Sequence, residues 1–145
     1  MKKLFIAVFS LFLVLGAVSV PAQAHDAEQT VINVPFTFRV GDTTLPGGEY
    51  RVKRVSTFGY SIQSTGEPKS EAMILTFGTA QGTAKASPAK LVFRAYAGHH
   101  FLAQVWMPFA DIGREVPASG AERNFRREVA KSDATPQIVA VLAAR

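Results

Sequence analysis

Cysteine is absent from the 145 residues. That excludes disulfides, thiolate-bound zinc, iron–sulfur clusters, a thiol nucleophile and a lipidated N-terminal cysteine. Charge is sparse too, with 19% charged residues and 16 Lys+Arg against 11 Asp+Glu, and the acids are spread along the chain rather than paired. No G-x-S-x-G, H-E-x-x-H, G-x-x-x-x-G-K or G-x-G-x-x-G string occurs, so the signatures of a serine hydrolase, a zinc protease, a phosphate-binding loop and a dinucleotide site are all missing. With neither a nucleophile beside a base nor clustered carboxylates, a non-enzymatic protein is the expectation. There is no internal repeat or low-complexity tract.

One long apolar run is present, and it reads as an address. Lys2 and Lys3 precede the run Leu4 to Val20, and Ala22-Gln23-Ala24 follows as an A-x-A cleavage site, the pattern of a secretory signal peptide. Removal of residues 1–24 would leave a single domain over 25–145, located in the periplasm or outside the cell. The remaining 121 residues carry 14 Lys+Arg and 11 Asp+Glu, a net +3. So weak a field in an exported protein argues against nucleic acid as a partner, and no membrane span is expected after cleavage.

The rest of the chain alternates in the manner of strands. From Thr30 to Val40, Ile32, Val34, Phe36, Phe38 and Val40 share one face, and Pro35 points to a sheet edge or a bulge. Gly41-Asp42 and Leu45-Pro46-Gly47-Gly48 are turns, and in the strand after them Tyr50 and Val52 point inward. Phe58, Tyr60 and Ile62 alternate in a third strand. Met73 to Phe77 is the continuous run of a strand covered on both faces, and Gly78 to Pro88 has the composition of a surface loop. Ala89 to Tyr96 and Phe101 to Met107 form a hairpin around a Gly98-His99-His100 turn, with Phe93 near Phe101. Phe109 to Pro117 is irregular. Ser119 and Glu122 form a capping box for a helix to about Lys131, with Ala121, Phe125 and Val129 as its apolar stripe, Glu122 and Arg126 spaced to pair, and Arg123, Arg126, Arg127 and Lys131 in solvent. Ile138 to Leu142 closes the sheet. Seven strands and one helix near the end predict an antiparallel β-sandwich or a partly open barrel.

Few residues are placed to carry a site. Cleavage after Ala24 would make His25 the terminus, where its α-amine and imidazole, with His99 or His100, offer nitrogen ligands for copper. A solvated terminus and a His-His turn are the plainer reading. Strict alternation puts Trp106 on the strand face opposite Phe101, as core packing or as part of a binding surface. Gly113, Arg114 and Glu115, just before the capped helix, together with Arg123 and Arg127, would either lock that helix to the sheet or offer a charged rim to a partner.

Several strings also resemble an uncharacterised family of small exported bacterial proteins: Val34-Pro35-Phe36-Thr37-Phe38-Arg39-Val40-Gly41, Leu45-Pro46-Gly47-Gly48-Glu49-Tyr50, Lys90-Leu91-Val92-Phe93, Phe101-Leu102-Ala103-Gln104-Val105-Trp106, and the run from Gly113 to Arg123. The shared pattern is V-P-F-x-F-x-V-G, L-P-A-G-x-Y and G-R-E-x-P, with Gly47 standing where the family usually has alanine. The resemblance covers most of the mature chain and implies export but no activity. The functional expectation is therefore an exported β-domain with a structural or interaction role towards a protein or envelope component. A carrier of copper or of an apolar molecule is the alternative.

Overall fold

Pro35 divides what the alternation presents as one strand. The computed structural model describes residues 28–81, 88–108, 110, 112–132 and 135–143, and in it β1 (Gln29–Val34) and β2 (Phe38–Val40) belong to different sheets. Proline has no N–H to give a ladder, so β1 ends before it and the chain crosses over within three residues. The later elements are β3 (Thr43–Leu45), β4 (Gly48–Arg54), β5 (Gly59–Ser64), β6 (Glu71–Leu75), β7 (Thr79–Gln81), β8 (Lys90–Tyr96), β9 (His99–Trp106), β10 (Ile112–Glu115), the helix α1 (Gly120–Val129), a 3₁₀ turn (Ala130–Ser132) and β11 (Gln137–Leu142).

Two sheets result. The first has the order β1-β4-β5-β6, and the second β11-β8-β9-β10-β7, with the β2–β3 hairpin beside the start of β9. All pairings are antiparallel except β2 with β9, where Phe38 and Arg39 run parallel to His100 and Phe101. Neither sheet closes on itself among the described residues, so the architecture is a mainly β sandwich with one α-helix rather than a closed barrel. Among the described residues β11 pairs only with β8, so it forms an edge of the second sheet.

Ile32, Val34, Tyr50, Val52, Ile62 and Ile74 of the first sheet meet Phe38, Leu91, Phe93, Leu102 and Val105 of the second in one core. Burying each large side chain contributes about 1.5–3 kcal/mol. Phe93 lies edge-on to Phe36 and Phe38, at 5.2 and 5.3 Å between ring centroids, and Phe38 meets Tyr50 at 5.2 Å across the layers. The Tyr50 hydroxyl donates to the Pro46 carbonyl at 2.6 Å, which ties the Pro-Gly turn to the ring that closes that end of the core.

Four expectations are corrected by layer and register. Met73, Leu75 and Phe77 are 58%, 62% and 65% exposed, because β6 is an edge strand covered on one face only; Ala72, Ile74 and Thr76 are its buried residues. Phe58 lies before β5 and is 55% exposed. His99 and His100 are strand residues, since the hairpin turn is Ala97-Gly98, both at positive φ (47° and 83°), as the twist of a two-residue hairpin requires. Ile112–Glu115 and Thr79–Gln81, expected as irregular chain and loop, pair with each other as short strands.

A β-bulge sets the faces of β9. Val92 pairs with Gln104 but Phe93 with Leu102, so Ala103 is an extra residue and the alternation changes phase there. Phe101 and Trp106 consequently share the outer face, and Phe93 and Phe101 lie on opposite faces, Phe101 packing on Tyr96 and Phe125.

Candidate functional site

The outer face of the second sheet carries a polar cluster that holds α1. Ser119 accepts a hydrogen bond from the Glu122 N–H at 3.1 Å as N-cap, as its sequence position predicts. The Glu122 side chain does not turn back to complete the box, nor does it pair with Arg126. It points into the sheet, 2% exposed, and accepts from Arg94 Nε at 2.5 Å, Arg94 Nη2 at 3.0 Å and the Tyr96 hydroxyl at 3.2 Å. Arg94 also donates to the Val116 carbonyl at 3.2 Å, so one guanidinium grips both the helix and the segment leading into it. Phe125 completes the seam against Phe101 and His99.

Burial works against the Arg94 charge, but the hydrogen bond and attraction of Glu122 outweigh it and hold the guanidinium above its ordinary range. Tyr96 is likewise raised, first by burial and then by the Glu122 charge. A raised tyrosine pKa stabilises the fold fully below about pH 10 and loses that contribution as pH climbs through the native value. Tyr96→Phe is therefore expected to flatten the alkaline side of the stability curve while costing about 1 kcal/mol at neutral pH. Urea unfolding from pH 7 upward tests this, and an equally steep alkaline loss in both proteins would contradict it.

The residues singled out before the helix have other tasks. A Cβ on Gly113 would come within 2.6 Å of Trp106 Cδ2 and Cζ2, so this glycine makes room for the indole. Trp106 is further held by Lys90 Nζ, 4.4 Å from the ring centroid, and by its bond from Nε1 to Gln104 Oε1 at 3.0 Å. Arg114 stands opposite Val105, on the core side of β10, and reaches out over the Phe58 ring at 5.4 Å. The Glu115 carbonyl accepts from Phe77 N–H at 2.9 Å and links the sheets. Thus the ion pair that locks the helix is Arg94–Glu122, with Arg114 and Glu115 joining the two sheets instead. Arg123 donates to the Ala118 carbonyl, and Arg127 is exposed.

The histidines are not brought together. His25 lies outside the described residues. His99 faces outward to Phe125, 4.5 Å between centroids, whereas His100 faces inward and stacks on Phe36 at 3.9 Å. Among the described residues no group of three or more His, Asp or Glu is placed to hold a metal. The described surface has open depressions. One, of about 670 Å³, is polar and lined by Arg51, Gln63, Ser64, Thr65, Lys69, Ser70 and Glu71. Another, of about 480 Å³, lies between Arg39, Thr44, His99 and His100. Neither joins an acid or base to a nucleophile in a closed site.

Sequence reasoning missed Arg94, although one signal was there: an arginine between Val92 and Tyr96 on one face of an otherwise apolar strand needs a buried partner. It also missed that Phe58, Leu75 and Phe77 are exposed where β6 ends beside β5, with Arg114 over the Phe58 ring. Thr76 N–H bonds the Phe58 carbonyl at 2.8 Å and Phe77 N–H the Glu115 carbonyl at 2.9 Å, which ties the chain after β6 to both sheets, with Leu75 and Phe77 turned to the face opposite Phe58. Compared with protein-family models, curated proteins and solved structures, the chain has no match. No helix among the described residues is long and apolar enough to cross a membrane.

Proposed function

We propose that this chain is an exported, non-catalytic β-sandwich domain of the resembled family, working outside the cytoplasm by contact with a protein of the envelope or the extracellular space. Lys2, Lys3, the apolar run and Ala22-Gln23-Ala24 support export. The observation that carries the contact role is the exposure of Phe58, Leu75 and Phe77, at 55%, 62% and 65%, where β6 ends beside β5, with Arg114 over the Phe58 ring. Large apolar side chains exposed along one strand end mark interaction sites, and an arginine over an aromatic ring is the composition of a binding hot spot. Phe58, Leu75 and Phe77 supply the apolar contact, and Arg114 supplies a directional donor to an acidic or carbonyl group.

Native mass spectrometry of the protein taken from its own periplasmic or secreted fraction tests this. The expected spectrum shows a chain beginning at His25 in complex with a second protein. Arg114→Glu should dissociate that complex yet change stability by no more than about 1 kcal/mol, since the Arg114–Phe58 contact is exposed. A monomer carrying copper or a lipid-like adduct would replace this reading with that of a carrier.

A further inference from the structure

On the side away from Arg114, both sheets end in strands without charge. β1 reads Gln29-Thr30-Val31-Ile32-Asn33-Val34 and β11 reads Gln137-Ile138-Val139-Ala140-Val141-Leu142, and the two edges lie against each other. Free edges are ordinarily protected by charge, proline or a cover, because their unpaired N–H and C=O groups accept a further strand. β6, on the opposite side, has Glu71. Among the described residues, β1 and β11 have no such protection along their length.

The register shows which groups are on offer. Ala143 N–H bonds the Ala89 carbonyl and Arg54 N–H the Glu28 carbonyl. By alternation, Ile138, Ala140 and Leu142 turn their backbone groups away from β8, and Val31 and Asn33 turn theirs away from β4. The same β11 residues expose their side chains, Ile138 at 68% and Leu142 at 55%.

We propose that two copies of this chain pair edge to edge through β11, antiparallel, about a two-fold axis at Ala140. The strand is self-complementary about that residue: Ala140 faces Ala140 of the second copy, and Ile138 faces Leu142 in both directions, so apolar pairs flank a small residue and no like charges meet. Pro136, the next residue whose N–H would face the edge, has none to give, so pairing stops there. The same rotation turns the two β1 edges towards each other and continues both sheets. Each edge is roughly 20 Å long and the sheets are about 10 Å apart, so with flanking side chains each copy covers on the order of 400–500 Å², at the small end of specific interfaces. The dimer is accordingly reversible and forms as concentration rises.

Sedimentation velocity of the processed protein over a concentration series is the test. The unmodified chain should pass from monomer to dimer. Ala140→Lys and, separately, Ala140→Glu should each weaken association at least roughly tenfold by placing like charges across the axis, and mixing the two should restore it. Ile138→Lys, also at an exposed position, should act in the same direction. Unchanged melting curves of these variants establish that they fold. Arg114→Glu should leave self-association intact, which separates this interface from the partner site. A chain that stays monomeric at every concentration, a dimer indifferent to Ala140→Lys, or a mixture that does not re-associate would overturn the proposal.

Discussion

Arg94→Ala is expected to destabilise the fold by about 3 kcal/mol, the lower end of the range for breaking a buried ion pair because Arg94 is partly solvated. The magnitude follows from what is left behind. Glu122 is 2% exposed, and without the guanidinium its only remaining side-chain donor is the Tyr96 hydroxyl at 3.2 Å. A carboxylate so deprived must lose its charge, or α1 must lift so that water reaches it. Few other contacts oppose lifting: Glu122 is the one fully buried residue of α1, with Phe125 half-buried against Phe101. Arg94→Lys should recover only part of the loss, since an ammonium cannot make the forked contact from Nε and Nη2. The double replacement Arg94→Met with Glu122→Leu should be far milder than Arg94→Ala, because it removes both charges together. Urea denaturation of the set provides the check. A loss below about 1 kcal/mol for Arg94→Ala would show that this pair does not hold the helix.

Gly113→Ala is expected to cost about 2–3 kcal/mol, although the change adds a single methyl group to a strand. Alanine suits β10 at least as well as glycine where backbone conformation is concerned, and Gly113 has no positive φ among the glycines that do. The obstacle is the Trp106 ring, which meets the Cβ position through Cε2, with Cδ2 and Cζ2 at 2.6 Å. The indole must then leave the sheet surface and give up its contact with Lys90 and its bond to Gln104. Trp106 is the only tryptophan, so its fluorescence reports the displacement directly and should shift to the red. The two positions should also be strongly coupled: in a Trp106→Ala background, Gly113→Ala should be nearly neutral. Additive losses would mean that the glycine serves some purpose other than making room for this ring.

These two sites show where local pattern loses its reach. Ser119 was legible as a helix cap because capping is decided within four residues, and Glu122 three residues later was legible as part of the start. Its actual partner, Arg94, is 28 positions away, and no spacing rule connects them. Gly113 and Trp106 likewise meet only because β10 pairs with β9. Within β9 one extra residue, Ala103, reverses the parity of everything before it, which is why Phe101 and Trp106 share a face that strict alternation denies them. The exposed run at Met73, Leu75 and Phe77 reads as a doubly covered strand for a related reason. An apolar side chain records what a residue tolerates, whereas its exposure depends on whether a second layer arrives.

By itself the sequence determined the elements that short-range physics decides: the alternating segments, the Gly41-Asp42 and Pro-Gly turns, the helix from Ser119, and hence a mainly β domain with one helix. Steric limits on φ and ψ, missing N–H groups and capping hydrogen bonds act between neighbours, so they are written in neighbouring residues. Only the tertiary structure decided that β1 and β2 serve different sheets, that Glu122 answers Arg94, that Arg114 emerges beside Phe58, and that β1 and β11 are left as uncharged edges. Each of these depends on which distant strands pair and in what register, a choice set by the packing of the whole core.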